Sequence, residues 1–525
     1  MNEKVEIILI AFLVIGIIGI SAYWIVNKNT DKSKNMIEDQ IRSENINDKK
    51  NPDRPASEVN ASSKVNNKKE SNNILGKEII PQEKDSQNAQ IINGNEDFGS
   101  ILLGVPTENS VILNIIPKSD VNVYLEYAKE SNKYDSKTGI YSIKANNPND
   151  IILNGLSTDT EYFYRILYKS GDGYNQSQEH SFHTARQKDS SFTFAIEADP
   201  HLDEQSDPEI YRQTLRNILS DNPDFLIDLG DTFMSDKLLI KSYETIEERH
   251  ILLRQYFDII GADVPLFLVL GNHEGESGWE LNGREDNIAV WASIIRKQYY
   301  PNPVPNDFYS GNSIEEKYVG LREDYYAFEW GDALFVVIDP YWYTQKKPSI
   351  DGWEWTLGIE QYDWLKKTLE GSDAKYKFVF THHLVGGDDQ GRGGIEKARF
   401  FEWGGYNPDG SYGFDTKRAG WGKPIHQLLV ENGVDAVFHG HDHFFAKQEL
   451  DGVIYQLVPQ PSHPGTIVNT ADKYGYFNGD ILGGSGYLRV TVSPSNVKVD
   501  YVRSSLGSGE DDYTSGVVVY SYTIS

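Results

Sequence analysis

Cysteine is absent from all 525 residues, which excludes disulfides, thiolate metal sites and cysteine nucleophiles and leaves the redox compartment open. Positive charge is also scarce. There are 50 Lys and Arg against 78 Asp and Glu, a formal net charge of −28. Residues 1–26 hold Lys4 against Glu3 and Glu6, and residues 27–90 hold twelve basic against eleven acidic side chains. The whole acidic excess therefore follows residue 90. A folded body of that charge repels polyanions, so nucleic acid is not expected as a bulk partner.

The composition supports folding, with 39% hydrophobic and 12% aromatic residues. A chain this long exceeds one compact core and implies a multidomain protein. Residues 1–26 include an uncharged apolar stretch, Ile7 to Val26, with Tyr23 and Trp24 near its end. About 20 such residues can span a bilayer, and aromatics suit the interface. The expectation is a transmembrane helix, a single-pass anchor in the cell membrane with the large C-terminal part outside. A cleaved signal peptide, giving a secreted protein, is the alternative. Residues 27–93 are rich in Asn, Lys, Ser, Asp and Glu, lack hydrophobic periodicity, and read as a disordered polar tether.

From 94 to 187, short alternating apolar runs are separated by Asn, Gly, Asp and Ser turns, the spacing of a small all-β sandwich. From about 190 to 525 the pattern changes. The runs FTFAIEA, DFLIDL, PLFLVL, ALFVVID, KYKFVFT and DAVFH have buried-strand character, and Pro208 to Leu219 and Thr245 to Phe257 have helical periodicity, which together predict an α/β body.

Five of these runs end in polar groups. They are Asp199-Pro200-His201, Gly230-Asp231, Gly271-Asn272-His273-Glu274, His382-His383, and His439-Gly440-His441-Asp442-His443. Carboxyl ends of strands in an α/β sheet converge on one crevice. Singly, each could be a turn or a packing residue. Jointly they hold seven of the chain's twelve histidines, and five independent turns seldom all select nitrogen and oxygen ligands. Imidazole, carboxylate and amide oxygen suit Zn, Mn and Fe. Two such ions can hold the attacking and leaving oxygens of an in-line phosphoester displacement.

D-x-H, G-D, G-N-H-E, H and G-H-x-H in this order resemble the calcineurin-like metallophosphoesterase family. The run Gly155 to Tyr162, followed by Tyr164-Arg165, resembles the fibronectin type III-like N-terminal domain of purple acid phosphatases. The resemblance implies a catalytic sandwich of two central sheets flanked by helices, two divalent metal ions and a phosphoester substrate. It implies Asp199, His201, Asp231 and His443 at a first metal, and Asp231, Asn272, His382 and His441 at a second, with Asp231 bridging. His382 is preferred to His383 because the family ligand follows the strand directly. His273 is the implied non-ligand histidine at the leaving oxygen, and a metal-bound hydroxide the implied nucleophile. The purple-acid-phosphatase pattern is broken at Met234, where that branch has tyrosine, and at His201, where it has glycine.

Two long insertions follow Glu274 and His383. In the second, Arg392, Arg399 and Arg418 could bind a phosphate or pair with the loop's own acids. The function expected is a membrane-anchored, metal-dependent phosphomonoesterase or phosphodiesterase. The alternative is a surface binding or adhesion protein on a decayed enzyme fold, which would fit the apolar stretch, tether and sandwich equally well.

Overall fold

The computed structural model describes residues 90–91 and 98–525, apart from 170–172, 204, 350, 387–389, 466–469 and 508–513. The chain divides into two units, 1–72 and 73–525, and every described residue falls in the second. The expected anchor at 7–26 and nearly all of the tether lie outside the described residues. Among those described, no helix is long and apolar enough to cross a membrane. Gln90–Ile91 is a correction to the tether reading, because it pairs in parallel with Asn175 and Gln176. An open strand edge offers backbone donors and acceptors to any chain beside it, whatever the side chains.

The N-terminal strands are β1 (Gly99–Gly104), β2 (Ser110–Pro117), β3 (Val121–Ala128), β4 (Asn149–Asn154), β5 (Glu161–Lys169) and β6 (His180–His183). β1, β2 and β4 form one antiparallel sheet, and β3, β5 and β6 belong to a second. Alternate residues point inward, as the period of two requires. Ile101 and Leu103, Val111, Leu113 and Ile115, and Tyr162, Tyr164 and Ile166 share one core between the sheets.

The body contains β7 (Phe192–Glu197), α1 (Pro208–Asp221), β8 (Leu226–Asp228), α2 (Tyr243–Phe257), β9 (Leu266–Leu268), α3 (Ile288–Tyr299), β10 (Tyr326–Trp330), β11 (Ala333–Val337), α4 (Ile359–Gly371), β12 (Tyr376–Thr381), α5 (Ile425–Glu431) and β13 (Ala436–His439). It ends with β14 (Phe445–Leu450), β15 (Val453–Leu457), β16 (Gly486–Val492), β17 (Val497–Arg503) and β18 (Val518–Ile524). The first sheet runs β9-β8-β7-β16-β17-β18, and the second includes β10-β11-β12-β13-β15-β14. Both are mixed. The strands read from sequence are the parallel ones, while β16 to β18 join antiparallel and extend the first sheet.

The sheets face each other across an aromatic core that includes Phe194, Phe225, Phe335, Phe378 and Phe438. Phe194 and Phe335 meet edge to face at 5.0 Å between centroids, the geometry favoured by their quadrupoles. Helices cover the outer faces. α1 starts at Asp207, whose carboxylate caps the amides of Glu209 and Ile210, with Pro208 in the first turn. It buries Ile210, Tyr211, Thr214, Leu215 and Ile218, a stripe of helical spacing. α4 and α5 cover the second sheet with Tyr362, Leu365, Ile425 and Leu428.

Register places the parallel strand ends level. Glu197 pairs with Asp228 and Asp228 with Leu268 in the first sheet, and Thr381 pairs with His439 in the second. Five loops therefore leave one edge of the two-sheet stack together.

The β-sandwich is joined to the body through buried Arg254 of α2. Its guanidinium donates to Ser100 Oγ at 2.6 Å, Asn114 Oδ1 at 2.9 Å and the Asn114 carbonyl at 2.6 Å. Tyr164 donates to the Ala262 carbonyl at 2.5 Å. Arg254→Ala strands several buried acceptors. It is expected to destabilise the full chain by about 3 kcal/mol or more, and calorimetry should resolve an earlier unfolding step for the β-sandwich.

Candidate metal centre

Asp199 and His201 follow β7, Asp231 follows β8, Asn272 and His273 follow β9, His382 follows β12, and His441 and His443 follow β13. Two groups of potential ligand atoms result, each with its atoms within 4.8 Å of one another: Asp199, His201 and His443, and Asp231, His382 and His441. Asp231 lies between them. Its Oδ2 is 3.6 Å from His201 Nε2 and 3.2 Å from His382 Nε2. Asp199 Oδ1 is 3.6 Å from His201 Nε2 and 3.4 Å from His443 Nε2.

The turns that carry these groups are conformationally costly. Asp199, His201, Asp231, His441 and His443 all have φ between 54° and 75°. For residues with a Cβ, this left-handed region costs of order 1 kcal/mol each, so the surroundings must impose it. The Asp199 amide donates to the Gly230 carbonyl at 3.0 Å and the His201 amide to that of Asp231 at 3.2 Å. The His441 amide donates to Asp199 Oδ2 at 2.8 Å. Close approach sets the glycines. A Cβ on Gly271 would lie 2.4 Å from Asp231 Oδ1, and one on Gly440 would lie 2.6 Å from Asp199 Oδ2.

Glu274 is buried and points into the Asp231 turn. Its carboxylate accepts from the amides of Gly271 at 2.6 Å, Asp231 at 3.1 Å and Thr232 at 2.6 Å. Burial and the charge of Asp231 push it up to about 7.

Each of four histidines has one ring nitrogen engaged, which leaves the other for the centre. His382 Nδ1 donates to the Leu229 carbonyl at 2.9 Å and His441 Nε2 to the Gln390 carbonyl at 2.9 Å. His201 Nδ1 lies 3.3 Å from Asp203 Oδ2, and His273 Nδ1 lies 2.9 Å from Asp236 Oδ1. Such outer partners set the tautomer and ring orientation of metal-binding imidazoles. Sequence reasoning missed Asp203 and Asp236. The available signal was their position, two residues past His201 and five past Asp231.

Electrostatics favour anionic carboxylates here. Burial raises the Asp199 carboxyl, but the imidazoles of His382 and His443 overcome it and hold it well below the usual range. Asp231 is depressed likewise, with His273 and His382 outweighing its burial. Burial and the neighbouring Arg392 hold His441 far below its ordinary value, so its imidazole is neutral and has a lone pair to offer.

These donors fit a metal pair. Asp199 Oδ1, His201 Nε2 and Asn272 Oδ1 are buried without a hydrogen-bond partner. Unpartnered buried polar atoms are rare because each costs desolvation that nothing returns. Three of them among carboxylates and imidazoles suit coordination by hard or borderline divalent ions. Asn272 directly precedes His273, whose amide donates to Asp231 Oδ1 at 2.8 Å, and its own side-chain oxygen is unpartnered. His383 belongs to neither group; its ring packs 4.4 Å from that of Trp355, 5.2 Å from that of Tyr341 and 5.2 Å from that of His441. Met234, three residues after Asp231, is buried.

Residues 192–445 match the family model described as calcineurin-like phosphoesterase. These residues form a calcineurin-like phosphoesterase domain. Two solved structures share the fold. PhoD aligns with 77% of this chain and 86% of its own, at 17% identity and a TM-score of 0.57. The purple acid phosphatase PPD1 from yellow lupin (Lupinus luteus) seeds aligns with 81% of this chain and 74% of its own, at 15% identity and a TM-score of 0.53. No curated protein matches the sequence.

The three arginines of the second insertion differ in what they touch. Arg392 donates to the His441 carbonyl at 3.0 Å and to Asp442 Oδ1 at 2.8 Å, beside the phosphoesterase domain's metal groups. Arg418 is committed to Glu402 and to the carbonyls of Trp353 and Trp355, where it braces the insertion. Arg399 is exposed over the rings of Phe400 and Tyr406.

Metal analysis of purified variants tests the geometry. Asp231→Asn removes the charge between both groups and should lower occupancy at both. His382→Ala should lose one ion of two, whereas His383→Ala should keep both. Loss of metal from His383→Ala equal to that from His382→Ala would contradict the arrangement.

Proposed function

We propose that the chain is a dinuclear-metal phosphoester hydrolase, acting on a monoester or diester, held at the outer cell surface by residues 7–26. The observation that carries this reading is the position of Asp231 Oδ2 between two His/Asp groups, beside the unpartnered atoms Asp199 Oδ1 and His201 Nε2. Asp199, His201, Asp231 and His443 would hold one divalent ion, and Asp231, Asn272, His382 and His441 the other. Mn, Zn and Fe all suit this donor set. When bound, such a pair polarises a phosphoryl oxygen and supplies a strong nucleophile at neutral pH.

The remaining chemistry belongs to side chains. His273 Nε2 lies 3.8 Å from Asp231 Oδ2 and faces the cleft, while Asp236 holds Nδ1 at 2.9 Å. A histidine held this way can give a proton to the leaving oxygen, and the Asp236 carboxylate stabilises the protonated ring. Arg392, fixed by Asp442 between His441 and His443, offers its cation to a phosphoryl oxygen. Without metals the chain's −28 charge repels such a substrate, so local cations must provide the attraction.

The full chain, loaded with Mn or Zn, is expected to hydrolyse 4-nitrophenyl phosphate or bis(4-nitrophenyl) phosphate, and the ratio of the two rates assigns the ester class. His273→Ala should retain metal and lose ~10²–10⁴ in turnover, less for leaving groups that need no proton. Asp236→Asn should lose less, in the same direction. A folded, metal-replete chain inert on both esters would overturn the reading in favour of a binding protein on an inactive phosphoesterase fold.

A further inference from the structure

The three most exposed large hydrophobic side chains among the described residues are Leu239, Ile240 and Phe477, at 104%, 71% and 70% exposure. All three lie on loops tied to the metal centre. Leu239 and Ile240 follow Asp236, the partner of His273. Phe477 follows Tyr476, whose hydroxyl donates to Asp442 at 2.8 Å, between His441 and His443. The points where the two loops attach are close together, since the His201 ring is 5.8 Å from that of His273 and 4.5 Å from that of His443.

Specific backbone contacts hold the apolar tips outward. Thr245 Oγ1 donates to the Ile240 carbonyl at 2.8 Å at the start of α2. Glu396 accepts from the amides of Phe477 at 2.9 Å and Asn478 at 3.0 Å. Leu238, between them in sequence and the core, packs against the first sheet's helices. Lys237 and Lys241 bracket the first tip, are exposed, and their ammonium groups have no hydrogen bond or ion pair among the described residues. Lys237 and Lys241 thus place two cations on either side of the protruding Leu239 and Ile240.

We propose that these loops dock on an anionic bilayer surface, with Leu239, Ile240 and Phe477 entering the acyl boundary and Lys237 and Lys241 resting among the headgroup phosphates. Apolar tips ringed by lysine match the two layers of such a surface, the pairing that interfacial proteins use. The same chain carries the 20-residue apolar stretch 7–26, long enough to span a bilayer. The substrate class follows if the site is a phosphoesterase: the phosphoester would be one presented at the lipid surface, with its phosphate between the two loops.

The absence of native cysteine makes the test direct. Leu239→Cys in the full chain is labelled with an environment-sensitive fluorophore and reconstituted in phosphatidylglycerol vesicles. Ser495→Cys is the control, in the turn between β16 and β17. Val492 pairs with Phe192 at the start of β7, so this turn lies at the sheet end away from the metal centre. Emission from position 239 should shift to the blue while that from 495 does not. Phosphatidylcholine vesicles, or Lys237→Glu with Lys241→Glu, should shrink the shift severalfold. A label at 239 as water-exposed as that at 495 overturns the proposal. So does a shift that appears without lipid and grows with protein concentration, which would make a second copy the occupant.

Turnover provides a second readout. Leu239→Ser, Ile240→Ser and Phe477→Ser together should slow hydrolysis of a vesicle-borne phosphoester about tenfold or more, while a soluble aryl phosphoester changes less than about twofold. Equal losses on both substrates would overturn the docking role. Inactivity of the unaltered chain on soluble esters, with the label still entering the bilayer, would remove the phosphoesterase reading and leave the docking surface standing.

Discussion

The Asp231 carboxylate is buried between imidazoles from both sheets, and its turn can exist only while Glu274 accepts the surrounding amides. A left-handed aspartate, a glycine pressed against its oxygen and a buried glutamate form one arrangement. If the turn opened, the two ligand groups would lose the atom they share. Asp199 repeats the device on the neighbouring strand, where it receives the His441 amide from the opposite sheet. The strain at Asp199, His201 and Asp231 is held by hydrogen bonds among the first sheet's loops, and that at His441 by a bond that crosses between sheets, while local propensity opposes all of it.

The two-sheet stack gives that crossing its accuracy. Aromatic side chains fill the space between the sheets, and the levelled register of β7, β8 and β9 and of β12 and β13 brings their loops to a common edge. Ligands on strand ends inherit the rigidity of the strands, as a metal pair needs if a small error in spacing is not to misplace the reacting oxygens. The antiparallel strands β16 to β18 take no part in the centre. They widen the first sheet and cover its core, and β16 supports β7 from the side opposite β8. The N-terminal β-sandwich is fastened to the same body by Arg254, on the helix whose Arg249 donates to the His201 carbonyl at 2.6 Å.

Charge is distributed to match. The body is acidic, and its centre would be more so without cations, since Asp199 and Asp231 stay ionised in a buried site. The second insertion contributes Arg392 next to the centre and spends Arg418 on its own folding. Lys237 and Lys241 lie on the loop that follows Asp236, the partner of His273.

Much of the centre was legible in the sequence because strand and ligand signals are local. A buried strand is a short apolar run, a sharp turn after it needs glycine, and a ligand must be aspartate, asparagine or histidine. Met234 marks the position three residues after Asp231 as a thioether, but only folding brings the buried Tyr341 ring to 6.3 Å from that of His382. The choice of His382 over the adjacent His383 came only from a resemblance, since the two are chemically alike in the chain. In the fold, the Leu229 carbonyl, 153 residues away, turns His382 into the cleft, while Trp355 and Tyr341 pack around His383. Asp236 was passed over because its partner is 37 residues distant. Gln90–Ile91 escaped notice because backbone pairing leaves no mark on side chains. The sequence by itself determined which residues could bind a metal and which strands would present them. The tertiary structure alone decided which nitrogen of each ring faces the cleft, because that depends on a carbonyl or carboxylate that folding brings from another part of the chain.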